Sequence, residues 1–262
     1  MTILDRITMA WERAASTVAS RWHDAAGARR FLCDQARRTR KHPLSWGTAY
    51  AATLVLLGYA LLDRPLAFWL KTHVSGDFEG FWKTVTTLGL GAIWLIPSGV
   101  LCLCLLLAWR AAPLLEMRAK LARAAWIPGF VFLSVAGSGL LNSLIKMLVG
   151  RTRPRLLFDE GVYSFVPLSH AYVTNSFPSG HSQAAFAAMT ALTLIFPRYD
   201  IALMAVAVLV AASRVLTTVH FLSDAVMGAW LGMVVTVLIH RWLTKRGIDV
   251  RMRFARDAKL AE

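Results

Sequence analysis

Long charge-free apolar runs alternate with short basic stretches along most of this chain. Leu44–Leu62, Thr86–Trp109 and Ala124–Ile145 contain no Asp, Glu, Lys or Arg. Each approaches or exceeds the roughly 20 residues that a helix needs to cross hydrocarbon. Three further runs follow: Ser182–Phe196, Ile201–Ser213 extending to Leu222, and Ala225–Ile239. These are shorter or interrupted, because Arg214, His220 and Asp224 stand at or near their ends. The pattern predicts an all-α fold, a six-transmembrane helical bundle. Trp46, Trp109, Trp126 and Trp242 fall at span ends, where interfacial indoles are expected.

The flanks set the expected orientation. Arg37, Arg38, Arg40 and Lys41 precede the first run, and Arg110, Arg118, Lys120 and Arg123 follow the second. Lys245, Arg246, Arg251, Arg253, Arg256 and Lys259 follow the last. With six spans these segments share one side, and the bias of Lys and Arg toward the cytoplasm makes it the inner one. The expected organisation is a basic cytoplasmic arm over residues 1–43, a six-helix membrane domain over 44–242 and a basic cytoplasmic tail over 243–262. In the arm, Leu4, Ile7, Trp11, Ala14 and Val18 recur at helical spacing. An amphipathic helix on the membrane surface and a flexible tail fit equally well. Asp5, Arg6, Glu12 and Arg13 exclude a signal-peptide core there. The loops Asp63–Val85 and Gly150–Phe177 are then external. The first carries Phe68, Trp69, Phe78, Phe81 and Trp82, as an interfacial segment or an ordinary connecting helix.

Composition agrees with a membrane protein: 56% of the residues are hydrophobic, 17% charged, and the mean hydropathy is +0.51. A soluble domain carries about a quarter charged residues. The net charge of +14 would point to nucleic acid in a soluble chain. Here most cations flank apolar spans, so no nucleic-acid partner is expected. Cys33, Cys102 and Cys104 form no disulfide framework and are read as structural.

The ionisable residues at the span ends are harder to explain as structure. Lys146, Arg151, Arg153 and Arg155 lie on the face where the topology disfavours cations. They point to a bound anion, or to the phosphates of neighbouring lipid headgroups. Counting span parity brings Lys146, Arg153, His181, Arg214, His220 and Asp224 to one level, the outer (periplasmic or extracellular) face. Ionisable groups within spans are costly and functional by default. Ser179 and Gly180 open a helix, whose free N–H groups and positive dipole end cradle anions. Guanidinium forks on Arg153 and Arg214 suit phosphate oxygens. His220 and Asp224, spaced i and i+4, can pair on one helical face, leaving the second imidazole nitrogen as nucleophile. His181 then serves as general acid. Asp159, Glu160 and His170 in the second external loop are read as solvated rather than as headgroup contacts.

Lys146-x6-Arg153-Pro154, Pro178-Ser179-Gly180-His181 and Ser213-Arg214-x5-His220-x3-Asp224 together resemble the three-part signature of the type 2 phosphatidic acid phosphatase and vanadium haloperoxidase superfamily. The resemblance implies a helical core, no metal, no cofactor and a phosphohistidine intermediate on His220. It also implies phosphate contacts from Lys146, Arg153, Ser179, Gly180 and Arg214, with Asp224 supporting the nucleophile. Members often carry glycine shortly before the third-motif histidine, where this chain has Thr217 and Thr218. The expected protein is therefore an integral membrane lipid phosphatase, expected in a bacterial inner membrane. Its substrate is a phosphomonoester or pyrophosphate on a lipid: a polyprenyl (undecaprenyl) pyrophosphate, lipid A or a glycerophospholipid phosphate. A transporter for an anionic solute and a non-hydrolysing lipid-phosphate binder are the rival readings. Nothing in the sequence speaks to the oligomeric state.

Overall fold

The computed structural model describes residues 35, 37, 39–74, 76–169 and 171–252. Most of the N-terminal arm, His170 and residues 253–262 lie outside the described residues, and with them the expectations made for the arm and for His170. Among the described residues the fold is helical, with one isolated bridge between Arg151 and Phe165 in place of any strand. The helices are α1 (Pro43–Leu57), α2 (Asp63–His73), α3 (Gly76–Thr87), α4 (Gly91–Ala111) and α5 (Leu115–Val149). They are followed by α6 (Pro154–Glu160), α7 (Gly180–Ile195), α8 (Asp200–Leu216) and α9 (Leu222–Lys245).

Among the described residues five helical stretches are long and apolar enough to cross a membrane: Pro43–His73, Gly80–Ala111, Leu115–Val149, Pro197–Leu216 and Leu222–Lys245. The first departs from expectation. Asp63 does not end a span and begin a loop, because a π-helical turn at Gly58–Leu62 joins α1 to α2. The aromatic segment is helical too, in α2 and α3, and residues 63–73 continue the first apolar stretch. The expected six-span count is not reached by length, since α7 has only 16 residues.

That helix is nevertheless the centre of the bundle. Ala187, Ala188 and Ala191 on α7 are fully buried, and the helix packs against α5, α8 and α9. Small side chains let the neighbouring backbones approach closely. A Cβ on Gly228 of α9 would stand 2.3 Å from the Ser179 carbonyl oxygen, and one on Gly232 would stand 2.3 Å from that of Gln183. These two glycines therefore set how near α9 comes to the N-terminal turn of α7. By contrast, α4 shows Ile96, Leu101, Leu103 and Leu107 at its surface, an apolar face suited to a lipid surrounding. At the far end of α9, Leu243 and Val250 are buried around Ile195, and the Met252 amide donates to the Ile195 carbonyl. In the segment ending at Tyr50, Gln35 Nε2 donates to the Tyr50 hydroxyl at 2.7 Å.

Candidate active site

The C-terminal end of α5 places the first group. Gly150 caps that helix with φ +60°, and a Cβ there would collide with the Val166 carbonyl, so only glycine fits. The turn sends Arg151 and Arg153 in different directions. Arg153 Nε donates to the Tyr172 carbonyl at 3.0 Å, and its guanidinium lies 4.0 Å from the Tyr172 ring centroid. Lys146 Nζ donates to the Asn175 carbonyl at 2.7 Å, to which Arg153 Nη2 also donates at 3.3 Å. Arg214, in the last turn of α8, donates from Nη1 to the Thr86 hydroxyl at 3.0 Å, while its Nε is buried and unpartnered. Lys146, Arg153 and Arg214 all act electrostatically on His181 in the first turn of α7. Among the described residues none of the three has a carboxylate within salt-bridge distance.

Ser179 is the N-cap of α7, with its hydroxyl accepting from the Ser182 amide and its own amide donating to the Asp224 carbonyl at 2.9 Å. That hydrogen bond, between the N-cap of α7 and the first turn of α9, ties the second and third sequence motifs together. Ser179 is fully buried, and Gly180 follows as the first helical residue, with Asn142 of α5 nearby. Asn142 is itself 3% exposed and its Oδ1 has no partner.

His220 does not sit on a helical face with Asp224, as the i, i+4 spacing had implied. It precedes α9, whose N-cap is Phe221, and Asp224 occupies the first turn. Asp224 Oδ2 accepts from the Phe221 amide at 2.9 Å and the Ser176 hydroxyl at 2.5 Å. His220 Nδ1 stands 3.6 Å from that oxygen, longer than a hydrogen bond, and 3.5 Å from Ser176 Oγ. Capping geometry, not helical periodicity, brings the pair together. Burial holds the His220 imidazole well below its ordinary pKa; the Asp224 carboxylate opposes this, while Arg153 adds to it. A neutral imidazole is the form able to act as a nucleophile. Thr218, in the turn before it, has φ +51°, the left-handed conformation that glycine adopts freely.

A second cluster was not foreseen. Arg151, grouped in the sequence with the anion-facing cations, turns into the protein and is 2% exposed. Its Nη1 donates to Asp224 Oδ1 at 2.6 Å and to Ser223 Oγ at 2.7 Å. Its Nη2 donates to Asp63 Oδ2 at 2.8 Å and to the Tyr163 hydroxyl at 2.7 Å. The guanidinium lies over the Phe221 ring, 4.4 Å from its centroid. Asp63 also accepts from the Ser223 amide at 3.0 Å and from the Ser223 hydroxyl. The one sequence signal for Asp63 was a carboxylate closing an apolar run, where an unpaired charge is expensive. Ser176 carried no signal at all.

Four cations and two carboxylates meet here, and with neutral imidazoles two positive charges remain unmatched. A phosphomonoester brings nearly two negative charges at neutral pH. What fold and site define is thus a helical membrane protein with a cationic cluster built beside a buried histidine–carboxylate pair. The chain belongs to the PAP2 superfamily, whose profile matches residues 128–248. The lipid A 1-phosphatase of Rhizobium johnstonii is 34% identical over 209 residues, covering 76% of this chain and 83% of that protein. The lipid A 1-phosphatase of Rhizobium etli is 30% identical over 211 residues, covering 76% and 87%. The crystal structure of a PAP2-type phosphatidylglycerolphosphate phosphatase from Bacillus subtilis shares the fold, with TM-score 0.53 and 22% identity over 75% of this chain and 96% of that one. The protein is a membrane lipid phosphatase, a phosphoric ester hydrolase, which displaces the transporter and binder readings.

Proposed function

We propose that this enzyme hydrolyses a phosphate monoester of lipid A to release phosphate, through a phosphohistidine formed on His220. The observation that carries the reading is the cluster of Lys146, Arg153 and Arg214, none of which has a carboxylate within salt-bridge distance among the described residues. The choice of lipid A rests on the two Rhizobium relatives. An apolar groove of about 500 Å³ supports a lipid-borne substrate. Ala211, Ala212 and Val215 of α8 and Leu222 and Ala225 of α9 line it, within a turn or so of Arg214 and Asp224.

In the proposed reaction the free imidazole nitrogen of His220 attacks phosphorus while the bond from phosphorus to the lipid oxygen breaks. Protonated His181 gives its proton to that departing oxygen. Lys146, Arg153, Arg214 and the amides of the Ser179–Gly180 turn hold the phosphoryl oxygens, whose charge they stabilise as it redistributes. Water then attacks phosphorus, His181 takes its proton, and the nitrogen–phosphorus bond cleaves to release phosphate. Asp224 steadies the imidazole as it gains positive charge.

The proposed topology counts six spans, with α7 as the sixth, enclosed by helices instead of lipid. The site then opens at the outer face of a bacterial inner membrane, with both chain ends in the cytoplasm. The test is phosphate release by purified protein from bis-phosphorylated lipid A, phosphatidic acid, phosphatidylglycerol phosphate and undecaprenyl pyrophosphate. Lipid A should be the preferred substrate. His220→Ala should release no phosphate while inserting normally in membranes. Retained turnover in that variant would sink the mechanism, and preference for another lipid would sink the substrate assignment.

A further inference from the structure

Asp224 is held from two sides: by the caps of its own helix, and by an arginine that reaches it from the α5–α6 turn. The second hold has an unusual feature, because Arg151 is shared. One arm of its fork goes to Asp224 and the other to Asp63, which enters from α2. Asp63 is 1% exposed and makes no contact that faces the pocket; both its oxygens are spent on Arg151 and Ser223. A buried carboxylate so far from the chemistry, at the end of an apolar helix, demands a reason.

We infer that Asp63, acting through Arg151, is a positioning residue for the His220–Asp224 pair. The inference rests on the reading of His220 as the nucleophile. Two physical effects follow from the geometry. First, the fork pins Asp224 Oδ1, so that Oδ2 stays aimed at Nδ1 of His220; residues that orient a catalytic group in this way commonly govern rates by 10- to 100-fold in metal sites. Second, Asp63 cancels the Arg151 charge. Without it, Arg151 would neutralise Asp224, and the imidazole would gain its positive charge at phosphorus transfer with no net negative partner. The π-helical turn at Gly58–Leu62 widens the helix just before Asp63, and Gly58 lies against Ser223. It thereby brings the carboxylate into register with the α9 N-terminus.

The charged groups acting on His220 and Asp224 are Lys146 from α5 and Arg151 and Arg153 from the following turn; Arg214 from α8 acts on Lys146 and on His181 of α7. Asp63 from α2 and the Tyr163 hydroxyl complete the set through Arg151. Removing the Asp63 charge makes this surrounding more positive. The His220 imidazole then loses its proton more easily, and the limb of the pH–rate profile that reports it moves to lower pH, by on the order of one unit.

The experiment measures phosphate release from bis-phosphorylated lipid A in detergent micelles, with kcat, KM and pH profiles, for Asp63→Asn, Arg151→Lys and His220→Ala. Asp63→Asn should lower kcat roughly 10- to 100-fold, keep KM within about twofold and shift the His220 limb of the profile to lower pH. Arg151→Lys preserves the charge but loses the fork, so kcat should fall about 10-fold with the profile unmoved. If Asp63→Asn does not accumulate as folded protein, Arg151→Lys alone decides: wild-type kcat there overturns the inference. An unshifted profile in folded Asp63→Asn overturns it as well. An inactive His220→Ala beside wild-type-like Asp63 and Arg151 variants refutes this inference alone, whereas an active His220→Ala refutes the mechanism beneath it.

Discussion

Arg151 and Arg153 are two residues apart and live in opposite electrostatic worlds. Arg151 lies between Asp63 and Asp224, its charge fully answered by carboxylates within 2.8 Å. Arg153 has only carbonyl oxygens and the ring of Tyr172, and shares its surroundings with Lys146 and Arg214. In a low-dielectric setting every charge needs a partner. One cluster carries its partners within the fold; the other leaves the place open for an anion. The difference separates the part of the site that holds its own geometry from the part that receives substrate.

The sharpest way to break this contrast is to neutralise each arginine in turn. Arg151→Met leaves two buried carboxylates unpaired and should destabilise the protein by about 3–5 kcal/mol in detergent unfolding. Arg153→Met removes one of three mutually repelling cations, so its stability should fall by less than about 1 kcal/mol. Its phosphatase activity should nevertheless fall by roughly 100-fold or more, the scale seen when one charge-stabilising donor is removed. Equal stability losses would erase the distinction.

Anion occupancy offers a second test. Orthovanadate at about 100 times its dissociation constant should add roughly 2.7 kcal/mol of stability to the wild type. It should add much less to Arg153→Met. A smaller effect is expected at the groove: Ala212→Trp should raise KM for lipid A several-fold, while hydrolysis of soluble p-nitrophenyl phosphate stays unchanged. Equal losses on both substrates would disconnect the groove from the lipid tail.

The smallest effect concerns Thr218, whose side chain accepts a backbone conformation costing about 1 kcal/mol. Thr218→Gly removes that strain but frees the unfolded chain, so stability should change by less than about 1 kcal/mol. Activity should stay near wild type, measured by the same phosphate assay.

The helical fold and the groups gathered at the span ends were legible in the sequence because both follow from local rules. Apolar runs of sufficient length must be helices in lipid, and helix parity brings alternate ends to one side. Lys146, Arg153, His181, Arg214, His220 and Asp224 were therefore assignable to one level from spacing alone, and the structure brings them together there. At 16 residues α7 falls short of a span by length, and its buried face packs against other helices.

Tertiary structure alone decided what each charge faces. No periodicity distinguishes Arg151 from Arg153; the positive φ of Gly150 and the turn after it send one inward and leave the other at the pocket. No spacing links Asp63 to Ser223 or Arg151, since these residues are far apart in the chain and meet only when α2 packs beside the start of α9. Even the His220–Asp224 pair, readable as i and i+4, owes its geometry to a helix cap rather than a helix face. Sequence carries the identity and order of charges, whereas their pairing depends on distances that only the packed helices create.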